Sequence, residues 1–256
     1  MQLYLIILNL LIFGLGACLG SFVNMLVYRV RHNIPLGGRS FADATGKPLA
    51  AIDLIPIISF VIFHGRSRTN GEKLSILYPI IELLSASGLL IISWRFYDPT
   101  EPHIWLPFIV YTSYFTLFLA IAVYDYLYFS IPKNLTIVIL FIAGLAAVIN
   151  FFGSNNPIGS VDQMVITLLI ASIGTFVLSR IPITKVGSLD VLIVASLALV
   201  FSSRLLEVFF ISCVVGLCWG AIKMIKGGGL STIVPLATIL YFGSVAFLFI
   251  EILQLS

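Results

Sequence analysis

Apolar residues run almost without interruption along this chain, broken only by short polar, proline or glycine stretches, and that spacing decides its environment. A helix needs about 20 largely apolar residues to cross a bilayer. Candidate spans fall near 3–27, 75–94, 104–123, 134–151, 162–180, 189–202, 205–223 and 231–250. Hydrophobic residues are 60% of the 256 and charged residues 10%, against about 25% charged in soluble domains. A soluble globular enzyme, a disordered chain and a secreted disulfide scaffold all fit poorly. The expected fold is all-α, a polytopic membrane helical bundle of about eight transmembrane helices. The sixth span is short: it begins below the membrane surface or is half of a broken helix.

Positive charge near helix ends sets orientation. With the N-terminus outside, the cytosolic segments hold Arg29, Arg31, Arg39, Lys47, Arg66, Arg68, Lys73, Lys133, Arg180, Lys185, Lys223 and Lys226. Only Arg95 and Arg204, two of the 14 Lys and Arg residues, remain outside. This divides the chain into a first transmembrane helix (1–27), a cytosolic loop (28–74) inserted between helices one and two, and a helical bundle (75–256). The N-terminal run has no basic region before its apolar core and reads as the first span, not a cleaved signal. The stretch IDLIPIISFVIF, 52–63, is too short to span and too apolar to float free, so it belongs at the interface or against the bundle. A net charge of +3 gives no support to nucleic-acid binding. Cys18, Cys213 and Cys218 sit in apolar stretches without C-x-x-C spacing and describe neither a disulfide framework nor a thiolate metal site. No internal repeat is evident, which weakens a transporter reading.

Two carboxylates stand out. Asp125 lies where LAIAVYDYLYFSIPKN leaves the third span, beside Tyr124 and Tyr126, and Asp190 opens the sixth span after Lys185 and Gly187. Both arrive at the same membrane face from different helices, where acids are costly and usually functional. Two carboxylates within a few Å cannot both ionise cheaply, so such a pair shares a proton. The ionised member then deprotonates a water attacking a peptide carbonyl, while the protonated member polarises that carbonyl and protonates the leaving nitrogen. The alternative is that both are helix caps at a solvated end. Asp43, Asp53, Asp98, Glu101 and Asp162 read as solvated or capping. Glu82, inside the second span, either hydrogen-bonds across the bundle or faces a cleft, with structural support the favoured role. Asn24 orients substrate or backbone, or makes a helix-end hydrogen bond. Gly16 and Gly20 form a small face for close helix packing, and Tyr124 and Tyr126 are interfacial anchors or flank the acids.

Asp125 with Ile131-Pro132 and Leu135-Thr136 resembles the first aspartate motif of the bacterial prepilin peptidases, the type IV leader peptidases. Gly20-Ser21-Phe22-Val23-Asn24 is similar to the family's G-S-F-x-N signature, and Asp53-Leu54-Ile55-Pro56 with Ser59 to its D-x-I-P-x-x-S stretch. Gly65-Arg66, Tyr78-Pro79-Ile80-Ile81-Glu82 and Pro235 continue the match. The resemblance implies a membrane aspartic protease with Asp125 and Asp190 catalytic, and Pro132, Gly187 and Lys185 supporting them. It implies prepilin or pseudopilin-like membrane proteins as partners, with a basic leader, a glycine before the cut and an apolar helix. It also implies the bacterial plasma membrane as location. The cluster of basic residues in the loop would not attract a basic leader, so those charges orient the protein or contact lipid phosphates.

The chain departs from the family in two places. The second aspartate motif, G-x-G-D, is here Gly187-Ser188-Leu189-Asp190, with leucine in the second glycine position and Leu192 where lysine is usual. If that glycine supplied a positive φ or close backbone approach, leucine would misplace Asp190, and a weakened or noncatalytic prepilin-binding relative is the resulting alternative. The two C-x-x-C pairs of many members are replaced by Ala42, Thr45, Ser67 and Asn70, so no metal is expected. Peptidase activity needs no cofactor. S-adenosylmethionine enters only if the chain also methylates the new N-terminus, as some members do, and the glycine runs at 37–38 and 227–229 read as turns rather than a nucleotide fingerprint.

Overall fold

The computed structural model describes residues 2–38, 49–68, 70–96, 105–154, 156–180, 186–225 and 235–255. Lys185, Ala42, Thr45 and the glycine run at 227–229 fall outside them. Regular structure among the described residues is helical apart from one isolated antiparallel bridge, Arg66 to Lys73. Among the described residues seven stretches are long and apolar enough to cross a membrane, and one of them, Ser188–Ile225, is cut in two by a 3-10 turn. The chain is an all-α polytopic membrane bundle of seven to eight such helices.

The chain forms two compact units, residues 1–94 and 95–256. The first holds α1 (Gln2–Arg31), a 3-10 turn (Ala51–Leu54), α2 (Ile58–Ile62) and most of α3 (Leu77–Phe96). In lipid no hydrophobic force drives two apolar helices together, so close backbone approach and polar pins must hold them. Gly16 and Gly20 supply the approach: a Cβ on Gly16 would stand 2.7 Å from Ala86 Cα, and one on Gly20 2.5 Å from Glu82 Cα. Trp94 Nε1 donates to Asn9 Oδ1 at 3.0 Å. α1 runs past the expected end at 27 because Arg29, buried in its last turn, donates through Nη1 to the carbonyls of Pro35 at 2.9 Å and Gly37 at 2.8 Å. A cation there also suits the negative end of the helix dipole.

The second unit holds α4 (Trp105–Tyr128), α5 (Lys133–Gly153), α6 (Pro157–Ser179), α7 (Ser188–Phe201), a 3-10 turn (Ser202–Arg204), α8 (Leu205–Ile225) and α9 (Leu236–Leu255). α4 packs against α5 and α9, α7 against α5 and α6, and α8 against α9. Polar groups pin the interior: Tyr114 Oη and Ser196 Oγ lie 3.1 Å apart, and Asn150 accepts from Tyr111 Oη at 2.7 Å while donating to Val200 O at 3.2 Å. α6 begins earlier than the expected 162 because Asn156 caps it, accepting the Gly159 N–H at 3.2 Å, with Pro157 in the first turn. α7 stops after 14 residues at Ser202, whose φ of +44° ends the helical run. Beyond that break Arg204 bonds Glu207 and Glu251, each at 3.0 Å, joining the start of α8 to the end of α9.

Candidate active site

Asp125 closes the last turn of α4, a position whose own helix dipole disfavours an anion. The start of α9 offsets this. Asp125 Oδ2 accepts the Ala237 N–H at 2.9 Å and the carboxylate also takes the Thr238 N–H, so it caps a helix from another part of the chain. Thr238 Oγ1 returns a bond to Ala122 O at 2.8 Å, stapling α9 to α4. The turn after Asp125 is tight: the Phe129 N–H donates to Asp125 O at 2.8 Å with Phe129 at φ +49°. Pro132 then caps α5, and its carbonyl accepts from both the N–H and the hydroxyl of fully buried Thr136, at 3.1 and 3.0 Å. The Pro132 to Thr136 spacing thus fixes the start of α5 just after the turn that follows Asp125.

Asp190 lies in the first turn of α7, and its Oδ2 accepts the Gly187 N–H at 2.6 Å. A carboxylate there is favoured by the dipole. Gly187 has φ −83°, and Leu189 is helical and absent from the left-handed positions. Neither residue uses a conformation reserved for glycine, so Leu189 imposes no backbone strain on Asp190. Asp125 and Asp190 are both buried, 6% and 7% exposed. No hydrogen bond joins the two carboxyl groups directly among the described residues.

Tyr124 is buried and meets Tyr128 edge-on at 4.8 Å. Tyr126 is partly exposed and meets Trp219 of α8 edge-on at 5.7 Å, with Lys223 Nζ 5.9 Å from the same indole. Of the expected site residues, Asp125, Asp190, Tyr124, Tyr126, Pro132 and Gly187 therefore belong to the second unit. Asn24 and Glu82 belong to the first. Asn24 Nδ2 donates to Tyr78 O at 3.2 Å, and Glu82 Oε2 accepts the Ile57 N–H at 2.7 Å. Ile57 has φ +61°, an outlier for a β-branched residue, so Glu82 holds a strained turn of the 52–63 stretch in place.

Asn24 and Glu82 line a cavity of about 420 Å³ within the first unit, together with Ser21, Tyr28, Phe60, Arg66 and Lys73. Outside the spans, the Arg68 guanidinium holds the Asp53 carboxyl below its ordinary value, with bonds of 2.9 and 3.1 Å. Ser67 and Asn70 offer no thiolate, and the turn they occupy is closed by backbone bonds from Gly71 to Ser67 and from Ser67 to Glu72, both 2.8 Å. That donor set does not suit zinc. The sequence reading missed the amides of Ala237 and Thr238. Pro235, standing just before α9, was the available signal for a helix start there.

Residues 14–96 match the family model described as the bacterial peptidase A24 N-terminal domain. The prepilin leader peptidase/N-methyltransferase of Bacillus subtilis (strain 168) is 30% identical over 222 residues, covering 85% of this chain and 84% of that protein. The protein of the same name from Vibrio cholerae is 28% identical over 157 residues, 58% of this chain and 57% of its own length. The Myxococcus xanthus one is 38% identical over 80 residues, 31% and 23%. No solved structure matches. With a relative of that identity aligned along most of both chains, and the acids of the resemblance buried in one helical unit, this chain belongs to the bacterial prepilin peptidase family.

Proposed function

We propose that the chain is an aspartic endopeptidase that removes the short leader from type IV prepilin-like membrane proteins, with Asp125 and Asp190 activating the attacking water. The observation that carries this is the burial of two carboxyl groups from separate helices of one compact unit, each tethered through Oδ2 to a backbone amide. The tethers fix the acids without neutralising them. One carboxylate takes a proton from water as the oxygen attacks the scissile carbonyl. The protonated partner hydrogen-bonds the carbonyl oxygen and then gives its proton to the departing nitrogen. Either acid serves in either role, because the pair titrates as one unit. Their position at helix ends suits a protease acting at the membrane surface better than a carrier with acids at mid-depth.

The charge asymmetry of the sequence favours a cytosolic face for this site and an outside N-terminus. There the bundle receives the apolar helix of the substrate while its leader stays in water. The relatives are named as N-methyltransferases as well, and S-adenosylmethionine would supply the methyl group. Gly37 and Gly38 follow a helix and no strand precedes them among the described residues, so they lack the strand–turn–helix setting of a nucleotide-phosphate turn. The peptidase chemistry runs without it.

The test is cleavage of a prepilin by the purified protein in detergent, alongside Asp125→Asn and Asp190→Asn. Each amide variant is expected to lose at least about a thousandfold in rate, since each removes one half of the acid–base pair. Wild-type-like cleavage by both would overturn the assignment.

A further inference from the structure

The cavity of the first unit contains an electrostatic conflict. Arg66 and Lys73 face each other across the isolated antiparallel bridge. The flanking bonds run from the Ser67 N–H to Glu72 O and from the Leu74 N–H to Gly65 O, both 2.8 Å. That pattern makes Arg66 and Lys73 a non-hydrogen-bonded pair, the kind in which opposed side chains come closest. Like charges in such a pair repel. Both residues line the cavity, and among the described residues neither has a carboxylate partner; Arg66 Nη1 makes one long bond, 3.3 Å, to Gly71 O.

The nearby acids do not relieve the conflict. Asp53 is taken by Arg68, and Glu82 by the Ile57 amide. The remaining lining acid, Glu72, pairs with neither cation. Among the described residues no acid neutralises the pair, and an anion would fit between them.

An apolar edge on α2, just before the pair in sequence, narrows the choice. α2 buries none of its residues, and Ile58, Val61 and Ile62 are exposed, as are Leu54 and Ile55 before it. The chain between α1 and α3 leaves and re-enters the bilayer on one side, so this apolar edge and the two cations lie at the same membrane surface. A free anion would satisfy the cations alone. A phospholipid satisfies both, its phosphate oxygens bridging a guanidinium and an ammonium and its acyl chains covering the edge.

We propose that the cavity between Arg66 and Lys73 is a binding site for the phosphate of an anionic phospholipid, with the exposed edge of α2 seated in the acyl layer. The site does not depend on the peptidase reading.

The experiment uses the full chain in detergent, titrated with phosphatidylglycerol, with phosphatidylcholine or with inorganic phosphate. Bound lipid is counted by native mass spectrometry and protection is followed by thermal unfolding. The R66Q/K73Q double variant tests the pair, and Arg180→Gln, an exposed cation in the other unit, controls for net charge. Wild type and Arg180→Gln should retain phosphatidylglycerol over phosphatidylcholine, the double variant should bind it about tenfold more weakly, and inorganic phosphate should not protect. Equal phosphatidylglycerol binding by wild type and double variant would overturn the site. So would equal retention of the two lipids, and protection by inorganic phosphate matching that by lipid would assign the pair to a soluble anion instead.

Discussion

Asp125 reaches across 112 residues of sequence to accept the Ala237 N–H at 2.9 Å, so one carboxylate both stands in the candidate active site and starts α9. Activity and stability are therefore entangled at this residue. Substitutions that keep an acceptor oxygen separate the two.

Asp125→Asn retains an oxygen for Ala237 and should unfold close to wild type, whereas Asp125→Ala leaves a buried amide unpaired, at a cost of about 1–3 kcal/mol. Thermal unfolding in detergent distinguishes them. A drop as large for asparagine as for alanine would show that the amide bond is not what Asp125 contributes.

Leu189→Gly restores the glycine of the family motif. The backbone there is already helical, so glycine gains nothing in conformation and should destabilise α7 by about 0.5–1 kcal/mol. Prepilin cleavage should stay within about twofold of wild type per folded molecule. A large gain would mean that the leucine side chain obstructs the substrate.

Gly20→Ala should be poorly tolerated. Its Cβ would stand 2.5 Å from Glu82 Cα and 3.0 Å from Ile81 O, and both are backbone atoms that cannot swing aside. Forcing α1 and α3 apart should cost about 1–3 kcal/mol and disturb the Glu82 bond to Ile57. A melting curve checks the first effect, and faster hydrogen exchange at Ile57 checks the second.

Glu82→Ala removes the acceptor that holds Ile57 at positive φ. The 52–63 stretch should then open, visible as proteolytic nicking that wild type resists. Glu82→Gln, which keeps an oxygen, should resist nicking more than alanine does.

The Asp53–Arg68 pair gives a pH dependence with a definite sign. Because Arg68 lowers the Asp53 pKa from its ordinary 3.8, the pair stabilises the loop at all pH values above that figure. The contribution fades as pH falls through the lowered value. Amide exchange across 50–56 should accelerate below about pH 4. Arg68→Gln should abolish that acid-triggered step.

Helix positions were legible in the sequence because apolar runs in a bilayer allow little else, and α4 and α5 lie close to their expected places. Ends were less so. α1 continues to Arg31 because Arg29 binds carbonyls that follow it, and α6 starts early on the Asn156 cap. Both acids could be selected from position and resemblance, but not the amides that hold them. Local spacing foreshadows the Gly187 bond to Asp190, three residues away, whereas nothing near Asp125 announces Ala237. The partner of Glu82, a main-chain amide 25 residues away, carries no side-chain signature in the sequence.

The brevity of α7 bears on how this part of the chain crosses a bilayer. α7 is 14 residues long, or about 21 Å along the helix axis. The hydrocarbon slab is about 30 Å thick. A single helix of 14 residues falls short of crossing that slab by itself, and the 3-10 turn and α8 must supply the rest of the path.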